Sequence, residues 1–345
     1  MTDITLLLER LRADLRAPAL AAIVTDPRSI LAAGAVGVRQ VNRMEPVELT
    51  DLFQIGSNAK AMTATVCAML VEQGILGWDL TPAAVFSELA KTMLPEYQIM
   101  TLEMLLRHTS GISPYTDTDE SDFILPDFGT LPIESHIQHF AHFLMTSRPV
   151  LSQPGEKVTY SNAGYSLAAA MAERVSGQAW RELIQDRLFH PLNLHAFVGY
   201  EHPARIAPSQ PWGHILDEHG GFLPHSPEEN LIPACLAPAG DMCISMPDYA
   251  RFMQMQLNIL QDQPSTFAPL HNHGKAGIGA GWGVNHLRGM ESFGLFSVHA
   301  GSTGTFFAIA ALSHEHSLGF AIVVNGGLPG MTPALKELIS SWLAS

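Results

Sequence analysis

Apolar residues recur along this chain in two rhythms. Near the start, Ile4, Leu7, Leu8, Leu11 and Leu15 follow helical spacing, and Pro18 ends that helix. Residues 20–24 and 30–38 are apolar runs of strand length, joined through the turn sequence Asp26-Pro27-Arg28. A short run at 52–55 predicts a third strand. From Ser57 to about Gln73 the spacing becomes helical, with Gly74 at the stop position. That helix is apolar nearly all round, which predicts a buried helix. It nevertheless carries Lys60, the only charged side chain between Asp51 and Glu72.

Residues 75–265 read as helices and loops. Thr101 caps a short helix that ends at Arg107-His108. An unpatterned loop follows from Ile112 to about Pro132 and carries Asp117, Asp119, Glu120 and Asp122; loops of that length are commonly functional. Helices are expected at 133–147, at 163–176 between an Asn162 cap and a Gly177 stop, at 178–190, and at 247–260. Residues 200–240, rich in Pro, Gly and His, read as irregular. Beyond Gly277 the strand rhythm returns at 296–299, 306–312 and 319–325, the last two forming a hairpin through Ser313-His314-Glu315-His316. Thr332-Pro333 opens a terminal helix. Strands and terminal helices at both ends, with helices between, predict an α/β (α+β) fold. Its antiparallel sheet domain is built from residues 1–75 and 266–345, an all-helical lobe (76–265) is inserted, and the two make one catalytic unit.

Composition narrows the partners. The 345 residues are 47% hydrophobic and only 15% charged, which is enough core for one or two domains. Net charge is −14, so nucleic acid and anionic membrane are poor partners. The first residues lack a basic segment followed by an apolar one, and no uninterrupted apolar stretch reaches membrane-spanning length. Three cysteines (Cys67, Cys235, Cys243) are an odd number without metal spacing, which favours reduced thiols and a cytoplasmic location. The 16 histidines include His136, His139 and His142 on one helix and the pairs His271/His273 and His314/His316 in turns. Three-residue spacing drifts around a helix, so no shared ligand face results. These histidines are expected to be exposed polar groups; no metal and no cofactor is predicted.

Three stretches could carry chemistry. Ser57 and Lys60, three residues apart, share a helix face about 5–6 Å apart at Cβ. Ser57 also sits at the helix start, where N–H groups favour developing negative charge. The pair is either an activated nucleophile or an N-cap beside a lysine reaching for water. Tyr160-Ser161-Asn162 places a tyrosine two residues before a helix cap. A lysine nearby would lower its pKa and make it a proton-transfer group; otherwise it is a core tyrosine. His299-Ala300-Gly301-Ser302 ends an apolar strand, and Gly301 would let a ligand approach the backbone. The N–H of Ser302 could then join that of Ser57 as an oxyanion hole. Ala300-Gly301-Ser302-Thr303-Gly304 is one glycine short of a nucleophile elbow, but no acid follows Ser302 in the order an α/β-hydrolase needs.

In this order, the three motifs resemble those of the serine β-lactamase and penicillin-binding-protein superfamily, in particular its class C-like branch with family VIII esterases and D-aminopeptidases. Ser57-Asn58-Ala59-Lys60 is similar to Ser-x-x-Lys, Tyr160-Ser161-Asn162 to Tyr-x-Asn, and His299-Ala300-Gly301 to Lys/His-x-Gly. The stretches 107–112, 154–156 and 238–242 look like further landmarks. The resemblance implies a β-lactamase-like fold and an acyl-enzyme on Ser57. Lys60 and Tyr160 would move protons, Asn162 would bond Lys60 or the substrate, and His299 would line the site. The N–H groups of Ser57 and Ser302 would hold the oxyanion beside Gly301. It implies a serine hydrolase acting on a small-molecule ester or amide, with β-lactamase or D,D-peptidase activity as the alternative and a non-catalytic binding protein as a further one. His299 stands where β-lactamases mostly carry Lys, which favours the esterase or amidase reading. Loop 112–132 would border the cleft or be solvated. Oligomeric state is not legible in the sequence.

Overall fold

The computed structural model describes residues 2–116, 123–199, 209–229, 231–262, 265–328 and 330–343. Its strands, in chain order, are β1 (Thr2–Asp3), β2 (Ala19–Thr25), β3 (Ile30–Gly37), β4 (Phe53–Gln54), β5 (Ala196–Val198), β6 (Gly213–Leu216), β7 (Phe222–His225), β8 (Met242–Ile244), β9 (Gly283–His286), β10 (Leu295–Ser302), β11 (Phe307–Ser313) and β12 (Gly319–Val324). Seven of them form one sheet in the order β1-β3-β2-β12-β11-β10-β9, antiparallel except for the short β1–β3 pair. The central strands β2, β11 and β12 are buried along their whole length, so their sequences are continuous apolar runs rather than alternating ones. Alternate residues serve two cores. Leu20, Ala22, Ile309 and Ile322 pack with Leu8 and Leu11 of helix Thr5–Asp14 and Leu335, Leu338 and Ile339 of helix Thr332–Leu343. On the opposite face Ala21, Ile23, Ala310 and Val323 pack with Ala61, Ala64 and Ala68 of helix Ala59–Glu72 and with Phe252 and Met253 of helix Met246–Asp262.

Several local expectations need amendment. The strand expected at 52–55 does not join the large sheet; β4 pairs with β8 in a separate sheet, β4-β8-β5. Residues 76–265 are not wholly helical, since they hold β5, β8 and the β6–β7 hairpin. The hairpin also corrects the irregular reading of part of 200–240; residues 200–208 and 230 lie outside the described residues. The helix expected at 163–176 runs Asn162–Ser176 with Ser161, not Asn162, as its cap: Ser161 Oγ accepts from the Gly164 N–H at 3.0 Å. Within 178–190 the first turn and a half, Trp180–Ile184, is α-helical and Gln185–Phe189 widens to a π-turn.

His271 overturns the expectation of an exposed turn histidine. It is buried, because a directional chain of hydrogen bonds satisfies it. Gln256 donates through Nε2 to Thr65 Oγ1 (3.1 Å), and Thr65 donates to the Ala61 carbonyl (2.7 Å). This leaves Gln256 Oε1 to accept from His271 Nε2–H at 3.0 Å. His271 Nδ1 then accepts from Ser297 Oγ (2.9 Å), which in turn accepts from His314 Nε2 (2.9 Å). The chain ties the Ser57 helix to helix Met246–Asp262 and to β10. Burial, then the charge of His314, lowers His271 from 6.5 to about 3. A folded pKa below the unfolded one means that the unfolded chain takes up the proton first. This contribution to stability is complete above pH 6.5 and is lost as pH falls toward 3. Melting temperature should therefore drop on acidification from pH 6.5 to about 4.5, and more steeply in wild type than in His271→Gln. Parallel slopes in a thermal-unfolding series would refute this account.

Candidate active site

Ser57 lies in a single 3-10 turn, Gly56–Asn58, that leads directly into helix Ala59–Glu72. Its side chain makes no capping bond, so the capping role left open by the sequence is not the one it plays. Asn58 pins the turn. Its Nδ2 donates to the carbonyls of Ile55 (3.0 Å) and Ala308 (3.1 Å), and its Oδ1 accepts from Tyr249 OH (2.8 Å). The Ser57 backbone is thereby fixed to β11 and to helix Met246–Asp262.

Lys60 does not reach water; it is fully buried. Its Nζ lies 2.7 Å from Asn162 Oδ1, 2.7 Å from the Ala239 carbonyl oxygen and 3.1 Å from Ser57 Oγ. Burial holds its pKa well below the usual 10.5, because removal from water penalises the ammonium. Asn162 Nδ2 donates to the Tyr115 carbonyl (2.7 Å), so Oδ1 is the face it turns to Lys60. Asn162 Oδ1 and the Ala239 carbonyl can only accept. A neutral Lys60 amine would give its two N–H groups to them and keep its lone pair for the Ser57 hydroxyl.

Tyr160 OH lies 2.7 Å from Ser57 Oγ, and Lys60 Nζ is 4.7 Å from the Tyr160 ring centroid. The expected lowering of its pKa does not occur. Although Tyr160 is 38% exposed as a residue, desolvation on the side facing Ser57 pushes the phenol up to about 12, only partly offset by its bond to Ser57. Lys60 is itself desolvated and does not offset the desolvation of the phenol, which dominates. Tyr160 therefore faces Ser57 as a phenol, a hydrogen-bond donor.

His299 and Tyr160 line a cavity of about 210 Å³ beside the serine. His299 Nδ1 lies 2.6 Å from the Gly281 carbonyl, which fixes the proton on Nδ1 and leaves Nε2 as an acceptor. Burial, then the charge of Lys60, lowers the ring from 6.5 to about 4, against the Gly281 bond. His299 is thus neutral at pH 7. A larger cavity of about 630 Å³ opens on the other side of Ser57, lined by Asn162, Ser302, Tyr115, Phe123, Ile232 and Leu236 among others. Of the acidic loop, Asp117, Asp119, Glu120 and Asp122 lie outside the described residues, while Thr116 and Phe123 on either side border this cavity.

Two glycines let β10 close on the Ser57 turn. A Cβ on Gly301 would overlap the Ile55 carbonyl and sit 2.5 Å from the Ser57 nitrogen. Gly56 has φ of +51°, and a Cβ there would sit 2.8 Å from the Ser302 nitrogen. The backbone of Gly301 and Ser302 therefore packs directly against the Gly56–Ser57 turn, with the nitrogens of Ser57 and Ser302 both in the contact. Sequence reading missed three participants: Asn58, Ala239 and His108. The signal for Ala239 was present only as a Pro-Ala-Gly landmark, since a backbone acceptor leaves no mark on its own side chain.

A sheet backed by terminal helices, with a Ser-Lys-Tyr cluster at the mouth between sheet and helical lobe, defines the β-lactamase-like class of serine hydrolase folds. The Beta-lactamase family model matches residues 4–340, and the chain belongs to that family. Penicillin-binding protein 4 of Amycolatopsis lactamdurans is 27% identical over 85% of this chain and 77% of its own length. Penicillin-binding protein 4* of Bacillus subtilis (strain 168) is 28% identical over 60% of this chain, and the match takes in only 44% of that relative. Among solved structures, D-amino acid amidase from Ochrobactrum anthropi SV3 superposes with a TM-score of 0.76 at 18% identity, over 99% of this chain and 97% of that one. An octameric penicillin-binding protein homologue from Pyrococcus abyssi gives 0.78 at 21% identity, over 98% of this chain and 76% of that one. No helix among the described residues is long and apolar enough to cross a membrane.

Gly301→Ala tests the close approach of β10. Overpacking of this kind typically costs about 1–3 kcal/mol, and here it falls on the turn that carries Ser57. The expected outcome is a lower melting temperature together with loss of labelling by a fluorophosphonate. A Gly301→Ala variant that labels at the wild-type rate would show that the backbone here is not constrained.

Proposed function

We propose that the chain is a serine hydrolase that cleaves a small-molecule ester or amide through an acyl-enzyme on Ser57. The observation that carries this reading is the position of Ser57 Oγ. It lies 3.1 Å from a buried amine and 2.7 Å from a phenol.

In acylation the Ser57 oxygen attacks the substrate carbonyl carbon while its proton passes to the Lys60 lone pair. The carbonyl oxygen becomes the oxyanion, held by the N–H groups of Ser57 and Ser302. As the tetrahedral intermediate collapses, the bond to the leaving group breaks. The leaving oxygen or nitrogen takes a proton from Tyr160, which is replenished from Lys60. In deacylation a water attacks the acyl carbon while its proton passes through the Tyr160 hydroxyl to the Lys60 lone pair. The proton returns to Ser57 Oγ as that ester bond breaks, so a carboxylic acid, free Ser57 and neutral Lys60 result. Asn162 and Ala239 hold Lys60, Gly301 gives the oxyanion room, and His299 lines the leaving-group side.

The neutral His299 supports an uncharged substrate over a β-lactam or a peptide ending in a carboxylate, since nothing in its imidazole offers the charge an ammonium would. β-lactamase and D,D-peptidase activities are the second reading, supported by the names of the relatives. Three buried free cysteines support a cytoplasmic setting. We also read the sheet domain (1–75 and 266–345) and the inserted lobe (76–265) as one catalytic unit, because the cluster draws on both.

Ser57→Ala is expected to lower kcat for a p-nitrophenyl ester by at least about 10⁴-fold, and Lys60→Arg and Tyr160→Phe by about 10²–10⁴-fold each. Unchanged turnover in Ser57→Ala, or no acylation of wild type by any activated ester, would favour a binding protein instead. For the substrate class, ester, D-amino-acid amide and chromogenic cephalosporin are compared in parallel. Ester or amide turnover should exceed cephalosporin turnover, and His299→Lys should narrow that gap by about tenfold. Faster hydrolysis of the cephalosporin by wild type would establish the second reading.

A further inference from the structure

One buried titratable residue of the site has no part in the chemistry above. His108 is only 5% exposed and takes a φ of +57°, a backbone region that residues other than glycine seldom occupy. The positive φ turns its carbonyl and its ring toward the same neighbour. Its carbonyl accepts from the Thr159 N–H at 2.7 Å. Its ring Nδ1 accepts from the Ser161 N–H at 3.1 Å. The residues immediately before and after Tyr160 are therefore both hung on this one histidine. The His108 ring also lies against the Tyr160 ring, with centroids 4.4 Å apart and planes at 34°. Its position against Tyr165 (5.2 Å) is fixed in turn, because Tyr165 OH donates to the Leu106 carbonyl at 2.7 Å.

We propose that His108 is the positioning residue of Tyr160. It grips the backbone on both sides of that tyrosine and packs on its ring, and so sets the 2.7 Å approach of the Tyr160 hydroxyl to Ser57 Oγ. This rests on the reading of Tyr160 as the proton-transfer group. The grip requires Nδ1 to be an acceptor, with the ring proton on Nε2, since an imidazolium would set an N–H against the Ser161 N–H. Burial keeps His108 neutral, because removal from water penalises the imidazolium. Strain at a functional position persists where the surrounding contacts over-determine it, as the two hydrogen bonds and two ring contacts do here. Misplacing a catalytic group by about 1 Å can cost about 10²-fold in rate.

The test compares His108→Asn, His108→Leu, Tyr160→Phe and the double variant His108→Leu with Tyr160→Phe, with kcat and KM measured on a p-nitrophenyl ester. Asn keeps an acceptor and tolerates positive φ; Leu keeps volume without an acceptor. His108→Leu should lower kcat by about 10²-fold with KM nearly unchanged. His108→Asn should recover most of that loss, and the double variant should be no slower than Tyr160→Phe alone. Equal impairment in folded Asn and Leu variants, or losses that multiply in the double variant, would overturn the positioning role while leaving the Tyr160 reading intact. Full activity of Tyr160→Phe would overturn that reading and the positioning role with it. Should His108→Leu not fold, His108→Gly, which tolerates the positive φ but has neither acceptor nor ring, decides through a series of esters with different leaving groups. A steeper dependence of kcat on leaving-group pKa than in wild type supports the role, and an unchanged dependence overturns it.

Discussion

A lysine amine sealed from water is the constraint on which the centre of this molecule depends. Desolvating an ammonium is costly, and a buried amine escapes that cost only by giving up its proton or by finding complete hydrogen bonding. Lys60 has obligate acceptors on two sides, from Asn162 and Ala239, and Ser57 on a third. Those partners come from separate parts of the chain. Asn162 opens a helix of the middle region, and Ala239 lies just before β8. Holding Lys60 therefore means holding both segments against the Ser57 helix. The alanines of that helix let its neighbours approach closely enough to exclude water.

The same requirement explains why the surroundings of the site are so thoroughly hydrogen-bonded. Asn58 spends its whole amide on Ile55, Ala308 and Tyr249. Residues 108 to 115 are laced to 151–162 by backbone pairs such as Gly155 N–H to the Thr109 carbonyl and Asn162 N–H to the Pro114 carbonyl, both 2.7 Å. In a low-dielectric region each unpaired group would be expensive, and each pair made is stronger than at the surface. Rigidity around the serine is thus a consequence of burying polar groups, and it also keeps the contacts of Ser57 with Lys60 and Tyr160 short.

Much of this was legible in the sequence. Central strands declared themselves as uninterrupted apolar runs, and the Ser57 helix as one apolar nearly all round with a single charge. Short strands were legible only in part: the run at 52–55 marks β4, but nothing in it shows that its partner is β8 rather than a strand of the large sheet. Histidines misled, because an imidazole in a turn sequence reads as solvated until Gln256 and Ser297, distant in sequence, supply its partners. The Tyr160 pKa was misjudged for a related reason. A lysine acts as a cation only where water or a counter-charge keeps it one, and burial is not written in local spacing. Roles carried by backbone atoms, such as the Ala239 carbonyl, leave no side-chain signature at all.

The sheet order also bears on how such a protein comes into being. β2, made among the first 25 residues, has β12, from residues 319–324, as one of its two neighbours. A ribosome must deliver everything between β2 and β12 before that seam can close, and pairing across so long a separation is slow relative to local structure. Gly301 and Ser302, which complete the space around Ser57, belong to the same late segment. A nascent chain displaying Ser57, Lys60 and even Tyr160 still lacks the strand that surrounds the serine. The surroundings of Ser57 therefore form only after β10 has been made, so the order of synthesis itself delays their assembly.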